Sequence, residues 1–175
     1  MKIGLDIDGV IADFVTGYSR SRNSTITPED VKDWDMWKYY NLTKSEFYRD
    51  LADKATRGFF LDLPVIPGAG GGVHSLRDQG HYIAIISNRS VPIDTLQWLA
   101  DHYIPYDRLY LSFFKGPIIR AEGLEYMIDD SPHIIETTRK AGAIPLIFDQ
   151  PWNREEKAPR VKNWQHITDY FRGRK

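Results

Sequence analysis

The sequence predicts an α/β fold: a three-layer, Rossmann-like parallel sheet with a small helical cap inserted after the first strand. Short Ile- and Leu-rich runs recur along the chain, each closed by a polar or glycine turn and followed by a helical pattern. These runs are continuously apolar rather than alternating, as expected of strands covered on both faces. One long stretch after the first run breaks the rhythm and fills with aromatic residues instead.

Taken in order, the strand candidates are residues 2–7, 81–86, 108–111, 126–128 and 144–148. Helical patterns cover residues 93–103, 132–141 and 164–171, and Gly142 stands where a left-handed C-terminal cap is wanted. The stretch 15–66 contains no convincing strand, and Thr43 followed by Glu46 reads as a capping box opening a helix. It is too long for a strand-to-helix loop. The expected division is therefore a core of residues 1–14 and 67–175 and a helical cap, or lid, of residues 15–66. Pro67-Gly68 marks the return to the core. The run Gly70-Gly71-Gly72 falls where the next helix should begin, although glycine costs about 1 kcal/mol per helical position.

At 175 residues the chain can bury a substantial core. A net charge of −1 argues against a nucleic-acid polymer as partner. The absence of cysteine excludes disulfides, thiolate metal sites and cysteine nucleophiles. No apolar run approaches the roughly 18 residues needed to span a membrane, and the N-terminus lacks the pattern of a signal peptide, so no membrane partner and a cytoplasmic setting are expected. The five histidines show no metal-ligand spacing.

Chemistry concentrates at strand ends. Asp6 and Asp8 close the first strand candidate just before Gly9, and Asp129 and Asp130 close the fourth. Open parallel sheets gather ligands at the carboxyl ends of their strands. A single aspartate there can equally be a turn residue or helix cap. Two acidic pairs at one edge call for a cation, and a hard divalent ion such as Mg2+ suits an all-oxygen donor set. Ser87 and Asn88 after the second strand and Lys115 after the third add donors suited to a phosphoryl group.

Asp6-Ile7-Asp8-Gly9-Val10, Ser87, Lys115 and Asp129-Asp130, in this order, resemble the signature of the haloacid dehalogenase superfamily of phosphotransferases. Asp6 through Phe14, Phe59-Phe60 before Pro67-Gly68-Ala69, Met127 through Pro132, and Pro151-Trp152-Asn153-Arg154 further resemble its 5'(3')-deoxyribonucleotidase branch. The chain departs from that branch at Ser87-Asn88-Arg89 and in the triple-glycine run.

The resemblance implies a phosphomonoesterase acting on a small phosphate ester, a (deoxy)nucleoside monophosphate, and it allows a homodimer. Asp6 would be the nucleophile and Asp8 the acid and base. Mg2+ would be held by Asp6, Asp8 and Asp130, with Asp129 as its outer neighbour; the family spacing to Gly142 fits Asp130 better as the direct ligand. Ser87, Asn88 and Lys115 would bind phosphate. Phe14 would stack on a base, and Phe59, Phe60, Trp34 and Arg154 are further pocket candidates, although lid aromatics also serve as a small hydrophobic core. A phosphatase of another small ester and a catalytically silent ligand-binding module are the alternatives.

Overall fold

In the computed structural model, which describes residues 1–174, six parallel strands form a single sheet in the order β3-β2-β1-β4-β5-β6. They are β1 (Lys2–Leu5), β2 (Tyr82–Ser87), β3 (Arg108–Leu111), β4 (Tyr126–Asp129), β5 (Ile144–Phe148) and β6 (Arg160–Val161). The first five are the strands expected from sequence. The two-residue β6, paired to the end of β5 through Ile147↔Arg160 and Phe148↔Val161, is too short to leave an apolar run.

Side chains alternate across the buried strands, and each face receives its own layer of helices. Ile83 and Ile85 of β2 join the larger cluster with Val73 and Leu76 of α3 (Ala69–Asp78), Trp98 of α4 (Pro92–Asp101) and Trp164 of α7 (Trp164–Phe171). Ala84 and Ile86 face the other way, towards Ile119 of α5 (Lys115–Glu122). This second layer is completed by α6 (Ile134–Ala141), which packs on α5. The sequence reading missed α5, whose first turn holds Gly116 and Pro117; proline is admissible there because first-turn N–H groups need no intrahelical acceptor, and a Cβ on Gly116 would fall 3.0 Å from Cγ2 of Thr137.

The last glycine of the run has a packing reason. It lies inside α3, and a Cβ on Gly72 would fall 2.4 Å from Cε3 of Trp164. Gly72 therefore admits the Trp164 indole, whose Nε1 donates to the Val10 carbonyl at 2.8 Å. The helix gives up some local propensity, and the loop that follows Asp8 gains a buried anchor.

Between β1 and α3 the chain forms α1 (Phe14–Ser21) and α2 (Lys44–Ala55), joined by 3-10 turns and irregular backbone. Thr43 and Glu46 close the expected capping box on α2, and Asp13 caps α1 by accepting from the Thr16 N–H. The stretch leaves and rejoins the sheet through one short neck: the Asp13 N–H donates to Pro64 O at 2.7 Å and the Ile66 N–H to Ile11 O at 2.8 Å. No helix among the described residues is long and apolar enough to cross a membrane.

Candidate active site

Strand order reverses at β1, because the connections from β1 run outward to β2 and β3 while β4 and β5 lie on its other side. Such a reversal opens a crevice at the carboxyl ends of the central strands. β1 stops at Leu5, two residues earlier than expected, because the Ile7 carbonyl accepts from the N–H groups of Val10, Ile11 and Ala12 at 3.2, 2.8 and 2.8 Å. That tight turn lifts Asp6 and Asp8 out of the sheet. Gly9 at its apex has φ +85°, and a Cβ there would fall 2.2 Å from Oδ2 of Asp130, so the turn and the second acidic pair require glycine.

Asp6, Asp129 and Asp130 are buried together, each offering a carboxylate oxygen within 4.8 Å of the others. Among the described residues, one cation pairs with them. Lys115 Nζ lies 2.9 Å from Asp6 Oδ1 and 2.7 Å from Asp129 Oδ2. The contact to Asp129 is an aligned hydrogen bond, whereas Asp6 Oδ1 has a close charge but no aligned donor. Asp129 is fully committed, since its Oδ1 accepts from the Ser131 N–H at 2.9 Å. Asp130 accepts from Trp152 Nε1 at 3.0 Å through Oδ2, and its Oδ1 is buried with no partner.

The electrostatics follow from this imbalance. Burial pushes the Asp6 carboxyl up to about 7; Lys115 opposes the shift, and Asp129 and Asp8 add to it. Asp130 is raised well above the ordinary carboxylate range by burial, with Asp129 and Asp6 adding repulsion. Burial alone would lower Lys115, but Asp129 and Asp6 outweigh it and raise the ammonium above its usual value. A hard divalent cation fits this site: the donors are all oxygen, two buried carboxylate oxygens lack hydrogen-bond donors, and the negative charge exceeds what Lys115 offsets.

Around the acidic cluster lies a cavity of about 300 Å³, lined on the sheet side by Asp6, Asp8, Ser87, Asn88, Arg89 and Asp130. Its opposite wall comes from α1, α2 and the turn between them, including Phe14, Trp34, Trp37, Phe47 and Tyr48. Phe60 also lines it, so Phe14, Trp34 and Phe60 are all brought to the cavity. Phe59 is not: it is buried with its ring edge-on to Phe14 and Tyr18. Arg154 is not either; it lies half-exposed at the surface, 3.4 Å from Glu29. The pocket roles expected of these two are therefore corrected, because packing claims the phenyl ring and a surface carboxylate claims the guanidinium.

Three polar residues near the cluster were not assigned from sequence. Trp152 binds Asp130, and Asn153 Nδ2 donates to the Asp130 and Phe148 carbonyls at 2.8 and 2.9 Å. The signal was present in the Pro151-Trp152-Asn153 string after β5, because a buried indole N–H and a buried amide each need a partner. The third, Arg89, grips Asp8 in a fork, with Nε 3.0 Å from Oδ2 and Nη2 2.8 Å from Oδ1.

A doubly covered parallel sheet with paired aspartates, a serine and a lysine at its central strand ends is the arrangement that the resemblance to the haloacid dehalogenase superfamily leads one to expect. The family model described as "5' nucleotidase, deoxy (Pyrimidine), cytosolic type C protein" matches residues 1–175, and the chain belongs to that family of phosphoric monoester hydrolases. A Chlorobaculum tepidum protein described as "Putative 5'(3')-deoxyribonucleotidase" is 30% identical over 97% of this chain and 89% of its own. Among solved structures, "a predicted phosphatase from Clostridium acetobutylicum" superposes with a TM-score of 0.70 at 14% identity, covering 97% of both chains. A D,D-heptose bisphosphate phosphatase from B. bronchiseptica, complexed with magnesium and phosphate, gives a TM-score of 0.57 at 12% identity over 98% of both chains. At those identities the two structures bear on the fold alone.

Proposed function

We propose that the chain is a magnesium-dependent 5'(3')-deoxyribonucleotidase that hydrolyses (deoxy)nucleoside monophosphates through an aspartyl-phosphate on Asp6. The observation that carries this reading is the buried acidic cluster, with Oδ1 of Asp6 held only by the Lys115 charge and Oδ1 of Asp130 without a partner, at the floor of an aromatic-walled cavity.

The Asp6 carboxylate attacks phosphorus as the ester P–O bond breaks, and the leaving oxygen takes a proton from Asp8. Asp8 then removes a proton from water, whose oxygen displaces Asp6 and releases inorganic phosphate. Lys115 opposes the rise that burial imposes on the Asp6 carboxyl and presents positive charge beside the transferring group. Ser87 and Asn88, at the end of β2, complete the phosphate contacts. Asp6 and Asp130 would hold the cation, joined by the Asp8 backbone carbonyl; Asp129, with both oxygens engaged, acts as their outer neighbour. Magnesium, when bound, supplies Lewis-acid neutralisation of the phosphoryl oxygens.

Residues 15–66 act as a lid on this chemistry, and its aromatic wall receives the base. Hydrolysis of a panel of ribo- and deoxyribonucleotides, sugar phosphates and p-nitrophenyl phosphate in the presence of Mg2+ tests the substrate. Nucleotides should exceed the aryl ester in kcat/KM; if none does, the nucleotidase assignment fails while the phosphatase assignment stands.

A further inference from the structure

Arg89 is among the least accessible charged groups in the molecule, with a side chain only 1% exposed. Its guanidinium carbon lies 4.8 Å from the centre of the Phe60 ring and 5.1 Å from that of Trp98. Two aromatic contacts at these distances hold a planar cation in place. Trp98 is itself fixed, since its Nε1 donates to Leu63 O at 2.9 Å. The Arg89 N–H donates to Ser87 Oγ at 3.3 Å, tying the same residue to the β2 strand end. From this pinned position Nε and Nη2 take both oxygens of Asp8, and Nη1 is buried with no partner.

That arrangement poses a chemical problem. A carboxyl group that delivers a proton to a leaving oxygen needs one oxygen free and aimed, and here both are taken. The guanidinium is packed against two rings and almost fully buried, whereas the Asp8 side chain is a quarter exposed and lines the cavity. Asp8 is therefore the partner able to move. One oxygen can turn toward the leaving group while the other stays on the fork.

We infer that Arg89 is a positioning residue for Asp8, which it holds by one oxygen while the other transfers the proton. The inference rests on the assignment of Asp8 as general acid and base. Within the step, the P–O bond to the leaving oxygen breaks, that oxygen accepts the Asp8 proton, and the new P–O bond forms to Asp6. Arg89 exchanges nothing.

The test is the dependence of kcat/KM on leaving group, because in a double displacement kcat/KM reports the steps up to departure of the alcohol. Alkyl esters need the proton, and p-nitrophenolate departs with little help. General acid catalysis is worth about 10²–10⁴-fold, so R89M is expected to lose roughly tenfold to a hundredfold on nucleotides and other alkyl phosphates. Its loss on p-nitrophenyl phosphate should be several times smaller. R89K keeps the charge but not the fork and should steepen the leaving-group dependence in the same way. It also carries the comparison if R89M does not fold. In a D8N background, either substitution should add little further loss on alkyl esters. A loss equal across all leaving groups, or an undiminished loss in the D8N background, overturns the inference. The first outcome assigns Arg89 to the fold and the second to the phosphate itself. Restoration of the wild-type dependence by R89K overturns the fork in favour of charge alone. If the unmodified enzyme hydrolyses none of these esters, it is the proposed activity that fails.

Discussion

The two walls of the cavity are built on different principles. The sheet-side wall comes from residues at the ends of neighbouring parallel strands, with ladder registers such as Leu5↔Ile128 and Leu5↔Ile85 setting their spacing. It is charged, buried and crowded, and three carboxylates share one ammonium. The opposite wall comes from two helices and irregular turns, and it offers rings and aliphatic groups in place of charge. The contrast teaches that chemistry here depends on backbone register, whereas recognition depends on how a small aromatic cluster packs. Substitutions on the two walls should therefore fail in different ways.

The largest effect belongs to Asp6. D6N keeps the volume but removes the attacking charge, and phosphate release should fall by about 10⁴-fold or more. Trapping of radiolabelled phosphate on the unmodified protein but not on D6N would place the covalent bond. Next comes Lys115, which is bound to both Asp6 and Asp129. K115M leaves two buried carboxylates facing Asp130 without a counter-ion. Breaking a buried pair from one side costs about 3–5 kcal/mol, so chemical denaturation should show a drop of that size alongside the lost activity. A K115M protein of unchanged stability would break the view that the sheet-side wall is held together by charge balance.

How far each wall was legible in the sequence follows from the same contrast. Strand ends announce themselves, because a continuous apolar run must stop and Asp6, Ser87 and Asp129 stand at the stops. Even there the limit was local. Nothing in Ser87-Asn88-Arg89 reveals that the arginine turns back to Asp8, since that contact joins residues 81 apart and depends on Phe60 and Trp98 arriving from elsewhere. Apart from the capping box at Thr43 and Glu46, the stretch 15–66 was legible only as a composition. Phe14, Phe59 and Phe60 are alike as letters, yet Phe59 is consumed by packing against Phe14 and Tyr18 while its neighbours face the cavity. In a regular strand, period two would have separated them, but the 3-10 turn Phe59–Leu61 has no long period to read. Gly72 was opaque for the same reason: its meaning is the approach of Trp164, which lies at the other end of the chain.

Cation removal gives the third prediction. Burial raises the folded-state pKa of Asp6 from 3.8 to about 7, and Asp130 moves in the same direction. The metal-free folded state thus binds protons more tightly than the unfolded chain across that window. These two groups favour folding at low pH, and their contribution is lost as pH rises through the folded-state values. D130N removes one buried charge and leaves a side chain able to accept from Trp152. With chelator present, it should raise Tm relative to the unmodified protein, and by more at about pH 8 than at about pH 5. It should also abolish the rise in Tm that Mg2+ gives the unmodified protein at about pH 8. A D130N protein still stabilised by Mg2+ would move the ligand role to another carboxylate.

The smallest effect lies on the aromatic wall and asks whether the two walls are separable. Trp37 lines the cavity half-buried, with its ring 6.3 Å from Phe47 and 6.4 Å from Tyr48, so W37L keeps an apolar contact while removing the stacking face. Stacking of one base is worth about 1–3 kcal/mol, and KM for a deoxynucleoside monophosphate should rise by about tenfold. Inhibition by inorganic phosphate, which needs only the sheet-side wall, should stay the same. Among the cavity-lining aromatics, Phe14 and Phe47 have no hydrogen-bonding group, and Trp34, Trp37 and Tyr48 each offer a single indole N–H or hydroxyl and no charge or amide with which to read a base edge. Exchange of one base for another should therefore alter kcat/KM less than W37L does. If inhibition by phosphate weakens along with nucleotide binding, the aromatic wall must be holding the strand ends in place, and the separation of chemistry from recognition falls.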